Sequence, residues 1–315
     1  MSTFKGINYK PRQKRGRKDK KQMNVLSLFD GISCGMVALE RAGIKVDKYV
    51  AYEIDENAIK ISKSNYPNIE QKGNVVNEDF TQYKGFDLIL AGFPCQDLSI
   101  SKKDRKGLKG ERSGLFWELV RAIEEVKPRY FLVENNYKMP KEDEAIITNI
   151  LGVCPIMIDS ALLSGQTRKR LYWTNIKASQ PQDKKIIVND IMTNEKKENL
   201  LNVTLFNERV NNKEYIMAPR RIGTIGKGGQ GERVYSIYGK SVTIKANGGG
   251  RGAKTGLYFI DGAVRKLTPL ECERLQTLPD NYTAGLSDTK RIKAIGNGWT
   301  VDVIAHILKG LREKI

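Results

Sequence analysis

The stretch Ala91-Gly92-Phe93-Pro94-Cys95-Gln96 constrains this chain more than any other. It follows the apolar run Phe86-Asp87-Leu88-Ile89-Leu90, which reads as a buried strand of a parallel sheet. Gly92 and Pro94 then stop the strand and turn the backbone. The pattern predicts Cys95 at the carboxyl end of a strand, the edge where open α/β sheets bind ligands. A thiol there can act as a nucleophile once it is a thiolate. On Cys95 alone the blander reading, a buried structural cysteine, is favoured.

The surrounding chain supplies a matching framework. Asn24 to Phe29 predicts a strand, and Gly31 and Gly35 bracket a turn with Ser33 as an N-cap. Met36, Leu39 and Ala42 space a short helix, and Val46 to Ile54 predicts a second strand ending in Glu53. This βαβ unit has the logic of a nucleotide site, with glycines for close approach and an acid ~20 residues on for a ribose hydroxyl. Its loop is not GxGxxG, and an anionic Asp30 suits pyrophosphate poorly. A phosphate-free ligand such as S-adenosylmethionine suits it better. Ala58 to Tyr66 predicts a helix stopped by Pro67, and Asn74 either reads an adenine edge or is a polar turn residue.

After Cys95 comes a long, basic, glycine-bearing loop of the kind often used as a lid. Ser113 is expected to cap a helix carrying Leu115, Leu119 and Ile123. Tyr130 to Val133 predicts another buried strand that delivers Glu134-Asn135-Asn136 to the edge of Cys95. A carboxylate at the end of a buried strand is costly unless it bonds something, which favours a functional Glu134. Residues 155–176 predict two strands about a turn, with Gln166, Arg168 and Arg170 on one face. Thr268-Pro269-Leu270-Glu271 spells a capping box with proline at the first helical position. A last helix is predicted from about Trp299 to Arg312, introduced by Gly296-Asn297-Gly298.

Charge adds a partner. The net charge is +18, of which residues 1–22 carry +8 and residues 176–262 carry +7. That concentration predicts two regions facing a polyanion. Residues 1–22 read as a disordered basic arm. Residues 177–262, which hold twelve of the 29 glycines between Gly223 and Gly262, read as a loop-rich β module with strand-like pieces at 234–237 and 241–244. Four separated cysteines and one histidine argue against a zinc site and a histidine-based triad, so no metal is expected. No run approaches the ~20 apolar residues of a membrane span, and no signal peptide is read before Met23, so a cytoplasmic protein is expected.

The order LFDGISCG, Glu53, GFPCQ, RSGLF, ENN, QTRKR, a variable basic region, LTPLECERLQTLP and IGNGWT resembles the DNA (cytosine-5)-methyltransferase family, of bacterial or phage type. The likeness covers residues 23–176 and 263–315. It implies a Rossmann-like, S-adenosylmethionine-dependent α/β catalytic domain over those segments, with residues 177–262 as a small target-recognition domain. Cys95 would attack cytosine C6 as a thiolate, Glu134 would hold or protonate N3, and Arg168, the first arginine of QxRxR, would stabilise the pyrimidine, with Gln96 and Arg170 beside them. Loop Gln96–Arg112 would close on a flipped base, and Ser101 would fill the vacated stack.

Phe29, Gly31, Glu53 and Asn297-Gly298-Trp299 would hold the methyl donor and its product, S-adenosylhomocysteine, together with Asp30, Ser33, Gly35, Ile54, Asn74, Val75, Pro94 and Leu115. The family usually has Asp at Asn74 and an apolar residue at Asn136. Double-stranded DNA would meet Ser99, Ser101, Lys102, Arg105, Arg112, Gln166, Arg220, Arg221, Arg233, Lys240 and Arg251. A monomer is expected, with a separate restriction endonuclease as its companion in a restriction–modification system. Three alternatives stay open: the same chemistry on RNA, a non-catalytic DNA-binding protein on this core, and a nicotinamide-dependent oxidoreductase.

Overall fold

A computed structural model describes residues 22–94, 114–193, 203–206, 213–246 and 255–312. Cys95, Gln96, Ser99, Ser101, Lys102, Arg105, Arg112, Ser113, Arg251 and nearly all of the basic arm lie outside them.

The described residues pack as two compact units. The first comprises those up to 158 with 169–179 and 305–312, and the second those of 159–168 and 180–304. Packing thus groups 263–304 with the basic middle region, whereas motif order groups them with residues 23–176.

The first unit is built on a seven-stranded sheet. In chain order its strands are β1 (Gln22–Leu28), β2 (Lys45–Tyr52), β3 (Glu70–Gln71), β4 (Leu88–Ala91), β5 (Tyr130–Asn136), β6 (Ile156–Asp159) and β7 (Lys169–Thr174). The spatial order is β3-β2-β1-β4-β5-β7-β6. Strands β1 to β5 pair in parallel, and β7 runs antiparallel to β5. The order reverses between β1 and β4, the switch point at which such sheets open a crevice. Register aligns Leu28 with both Tyr52 and Ala91, and Ala91 with Val133. The loops after these four strands therefore leave one edge side by side.

Helices α1 (Cys34–Arg41), α2 (Glu56–Asn65), α3 (Leu115–Val126) and α4 (Lys141–Leu151) serve this unit. Phe116, Leu119 and Ile123 of α3 and Ile147 and Ile150 of α4 pack with Leu26, Ile89, Phe131 and Trp173 of the sheet. The buried Trp173 indole donates to Thr148 Oγ1 at 2.9 Å, so its polar atom is satisfied.

The second unit holds a five-stranded sheet of β8 (Val203–Leu205), β9 (Arg221–Ile225), β10 (Arg233–Ser236), β11 (Leu257–Ile260) and β12 (Ala263–Arg265), ordered β12-β11-β10-β9-β8. Its small core is Ile222, Ile225, Val234, Leu257 and Val264. The expected capping box forms at α5 (Pro269–Leu275): Glu271 N donates to Thr268 Oγ1 at 3.2 Å and Thr268 N to Glu271 Oε2 at 2.8 Å. Two more helices follow, α6 (Asp288–Asn297) and α7 (Val301–Leu308).

Several boundaries need correction. Residues Glu134 to Asn136 lie within β5 rather than beyond it. Residues 241–244 form only an isolated bridge, Gln166 to Ser241, because their backbone bonds Thr167, Gln166 and the Tyr258 hydroxyl instead of a strand. Helix α6 was not anticipated, and Gly296-Asn297 end it rather than introduce the next. Among the described residues no helix is long and apolar enough to cross a membrane.

Candidate active site

The β1–α1 connection turns abruptly. Phe29, Gly31 and Ser33 all have positive φ, at 57°, 62° and 59°. Two of them carry side chains, which costs roughly 1–2 kcal/mol each. A side-chain carbon at Gly31 would meet nothing within 4 Å, so the backbone there borders open space. Gly31 N donates to Glu53 Oε2 at 2.8 Å, and Ile54 N and Asp55 N donate to Glu53 Oε1 at 2.8 Å each. Glu53, one residue past β2, is thus oriented by three backbone N–H groups, which fill Oε1 and leave one lone pair on Oε2. Ile54 beside it is 72% exposed. Asp55 caps α2 through Asn57 N and Ala58 N at 2.9 and 3.3 Å.

Ser33 does occupy the position before α1, but its side chain makes no cap bond. It donates to Asp30 Oδ2 at 2.5 Å instead. Ser27 Oγ and Tyr49 Oη donate to Asp30 Oδ1 at 2.6 and 2.7 Å. Burial pushes the Asp30 carboxyl up to about 6, hydrogen bonds from Ser27, Ser33 and Tyr49 pull against it, and the nearby Glu53 charge adds to the rise. The carboxylate expected to face a ligand is therefore engaged by the protein's own hydroxyls.

Other expected donor-site residues divide. Phe29 and Leu115 are half-buried against the core, Pro94 is half-buried, and Gly35 is buried on α1. Val75 is enclosed in the core. Exposed Asn74 makes the polar turn that was its alternative reading, its Oδ1 accepting from Val76 N at 3.1 Å. In the second unit Asn297 is exposed, Trp299 half-buried and Gly298 buried.

Two strands away from the β1–α1 loop, Arg170 Nε lies 2.8 Å from Glu134 Oε1, with side chains 17% and 12% exposed. The antiparallel register pairs Asn136 with Arg170 and Glu134 with Tyr172, so acid and arginine meet diagonally on one face of the β5–β7 ladder. Asn135, 2% exposed, donates from Nδ2 to Phe93 O at 3.1 Å, while its Oδ1 accepts from Asn136 N at 2.7 Å. That amide ties the segment entering Cys95 to the strand bearing Glu134. It was missed as a site residue, although its place beside Glu134 marked it.

The shared face expected for Gln166, Arg168 and Arg170 is corrected, because β7 begins only at Lys169. The arginine that meets Glu134 is the second of QTRKR. Arg168 is buried in the second unit, donating from Nη1 to Ile244 O at 3.1 Å and from Nη2 to Gly296 O and Gly298 O at 3.2 and 3.0 Å. Gln166 is 0% exposed: its Nε2 donates to Leu275 O and Gln276 Oε1 at 2.8 and 2.6 Å, and its Oε1 accepts from Ile244 N at 3.3 Å.

Lys240 is likewise 0% exposed, its Nζ donating to Ser164 O and Ile186 O at 3.0 and 2.5 Å. Burial lowers its ammonium pKa. Neither Gln166 nor Lys240 presents the side chain a nucleic-acid contact needs. Arg233 is exposed, Arg220 donates to Glu214 O at 2.7 Å, and the Arg221 guanidinium lies 5.8 Å from the Phe206 ring centre. No cluster of metal-ligating side chains occurs among the described residues.

Comparison with known proteins agrees with this architecture. Residues 23–313 match the family described as C-5 cytosine-specific DNA methylase. The Type II methyltransferase M.HhaI of Haemophilus parahaemolyticus is 29% identical over 307 residues, covering 90% of this chain and 93% of its own. The Type II methyltransferase M.HpaII of Haemophilus parainfluenzae is 26% identical, covering 94% and 91%. Among solved structures, the Entamoeba histolytica methyltransferase EhMeth superposes with a TM-score of 0.73 at 20% identity, over 94% of this chain and 99% of that one, a likeness of fold. The chain belongs to the C-5 cytosine-specific DNA methylase family and is a DNA (cytosine-5-)-methyltransferase.

Proposed function

We propose that this enzyme transfers the methyl group of S-adenosyl-L-methionine to C5 of a cytosine flipped out of a specific double-stranded DNA sequence, through a covalent bond from Cys95 to C6. The observation that carries this reading is the Glu134–Arg170 pair at 2.8 Å, on the strand whose Asn135 holds Phe93, two residues before Cys95.

The donor loop suits the proposed cofactor. No lysine or arginine stands between Ser27 and Gly35, and Asp30 and Glu53 would repel a pyrophosphate. Glu53 Oε2 offers an acceptor for a ribose hydroxyl, Gly31 borders open space, and exposed Ile54 and half-buried Phe29 offer apolar contact. When bound, S-adenosyl-L-methionine supplies an electrophilic methyl on a sulfonium, which a site lined by acids tolerates.

The protein's part is to make C5 nucleophilic. Cytosine C5 is unreactive until a thiolate adds at C6, which pushes electron density onto C5 and the N3 side of the ring. Glu134 receives or returns a proton at N3 and accepts from the exocyclic amine. Arg170, rather than Arg168, orients Glu134 and offers N–H donors to the ring as charge builds. After C5 takes the methyl, loss of the C5 proton and departure of the Cys95 sulfur restore aromaticity. Arg168 organises the carbonyls of Gly296 and Gly298. Arg220, Arg221 and Arg233 of the second unit meet DNA, where each phosphate contact makes binding salt-dependent.

The test is covalent trapping. Duplex DNA carrying 5-fluorocytosine, incubated with enzyme and S-adenosyl-L-methionine, should yield a complex that survives denaturing electrophoresis. Cys95→Ala should abolish both trapping and methylation while DNA still binds. Methylation by Cys95→Ala at the wild-type rate sinks the nucleophile assignment. Bisulfite sequencing of DNA from expressing cells gives the target sequence.

A further inference from the structure

The donor loop holds one more acid than a ribose ligand requires. Asp30 accepts hydroxyls from three elements: Ser27 on β1, Ser33 at the start of α1 and Tyr49 on β2. A longer chain feeds it. Ser33 spends its one proton on Asp30, so the 2.6 Å contact between Ser33 Oγ and Ser62 Oγ must be donated by Ser62. Ser62 in turn accepts from Gln71 Nε2 at 2.9 Å. Every donor therefore points towards one carboxylate, and the chain ends at the buried Gln71 Oε1, which has no partner among the described residues. Such one-way order needs an anion at its head.

The loop that this anion grips is strained. Phe29 and Ser33 keep left-handed backbones although neither is glycine, and such conformations persist only where surroundings over-determine them. Between them Gly31 N fixes Glu53. We infer that Asp30 is a positioning residue for the methyl-donor site: by gathering Ser27, Ser33 and Tyr49, its carboxylate holds the loop in the shape that lets Gly31 orient Glu53. The inference rests on the function proposed above.

The anion is held at a cost. Burial raises the Asp30 carboxyl to about 6 despite three hydroxyl donors, and the groups that act on it besides the serines are Tyr49 from β2 and the Glu53 carboxylate beyond it. No cation appears among those groups. Loop order and donor affinity should therefore weaken as pH falls through about 6, where Asp30 takes up a proton. Asparagine fits the same space with the chain reversed. Its Nδ2 would donate to Ser33, Ser33 to Ser62, and Ser62 to Gln71 Oε1 once that amide turns over. Hydrogen bonds to a neutral amide are about half as strong as those to a carboxylate. Asp30→Asn should thus fold well and grip the loop poorly.

The experiment is calorimetric binding of S-adenosylhomocysteine to the full-length protein between pH 5 and 8, with melting temperatures alongside. At pH 7.5 Asp30→Asn should bind about tenfold more weakly, the effect of one charge-assisted bond lost, yet melt at a higher temperature because a poorly solvated charge is gone. Wild-type affinity should fall towards that of Asp30→Asn as pH drops through 6, while the variant stays flat over that interval. Tyr49→Phe should weaken binding by a smaller factor. At saturating donor, kcat of Asp30→Asn should stay within about twofold of wild type, placing the defect in KM. Unchanged binding by Asp30→Asn overturns the inference and leaves the proposed function standing, as does weaker binding accompanied by a lower melting temperature. A wild-type protein that binds no S-adenosylhomocysteine at any pH overturns both.

Discussion

Two carboxylates, half-buried Asp30 in the first unit and fully buried Glu271 in the second, are treated in opposite ways. Glu271 in the α5 capping box is 0% exposed and accepts from Arg265 Nη1 and Nη2 at 2.8 Å each, with further bonds from Thr268 N and Thr193 N. Burial alone would raise its carboxyl, but the Arg265 bonds and those two backbone donors outweigh it and hold the group below its ordinary value. Asp30 in the donor loop has hydroxyls and, among the described residues, no such cation, and it rises to about 6. The first acid is fully compensated and serves the fold. The second is left under-compensated in a loop of left-handed residues, as expected where a fold spends stability on a site.

The comparison can be broken at several points. The largest effect should come from Arg265→Met, which strands a buried carboxylate. A loss of about 3–5 kcal/mol is expected, read as a lower urea midpoint; a loss below ~1 kcal/mol would mean Glu271 is not compensated by Arg265. Next, and opposite in sign, Asp30→Asn should gain about 1–3 kcal/mol at pH 7, from the rise above its ordinary 3.8 at ~1.4 kcal/mol per pH unit.

The pH signs sharpen the contrast. Asp30 has a raised folded value, so its contribution is fully present below its ordinary value of 3.8 and is lost as pH rises through about 6. The gap between wild type and Asp30→Asn should therefore widen between pH 4 and 7 and then level off. Glu271 has a lowered folded value, so its contribution is present above its ordinary 4.5 and is lost as pH falls through its lowered value. Unfolding curves at pH 3.5, 5 and 7 separate the two. The smallest effect belongs to Thr268→Ala, about 1 kcal/mol for a lost N-cap, with Arg265–Glu271 intact.

What could be read from the chain follows the range of the forces involved. Strands β1, β2, β4 and β5 announce themselves because a buried parallel strand is a continuous apolar run closed by Gly, Pro or acid. The α5 cap is legible because its partners, Thr268 and Glu271, lie three residues apart. Lys240 misled because its partners, Ser164 and Ile186, lie 76 and 54 residues away, and nothing local distinguishes it from the exposed basic residues around it. Arg168 and Arg170 were assigned to one face by alternation, but the strand begins between them. Helix α6 escaped because only Ile295 and Gly296 are buried along its length, too little for an apolar stripe. The Asp30 chain was invisible because Ser27, Ser33, Tyr49, Ser62 and Gln71 share no spacing rule.

The diagonal meeting of Glu134 and Arg170 has an engineering consequence. Their separation is fixed by interstrand backbone bonding, in which Asn136 stands opposite Arg170, and not by the span of chain joining the two strands. Within that span, loop positions outside α4, β6 and Gln166–Arg168 can change in length or sequence without changing the distance between the two charges. A designer seeking insertion points should look to those loop positions, while a single-residue slip in the ladder would turn the arginine to the opposite side of the sheet and part it from Glu134.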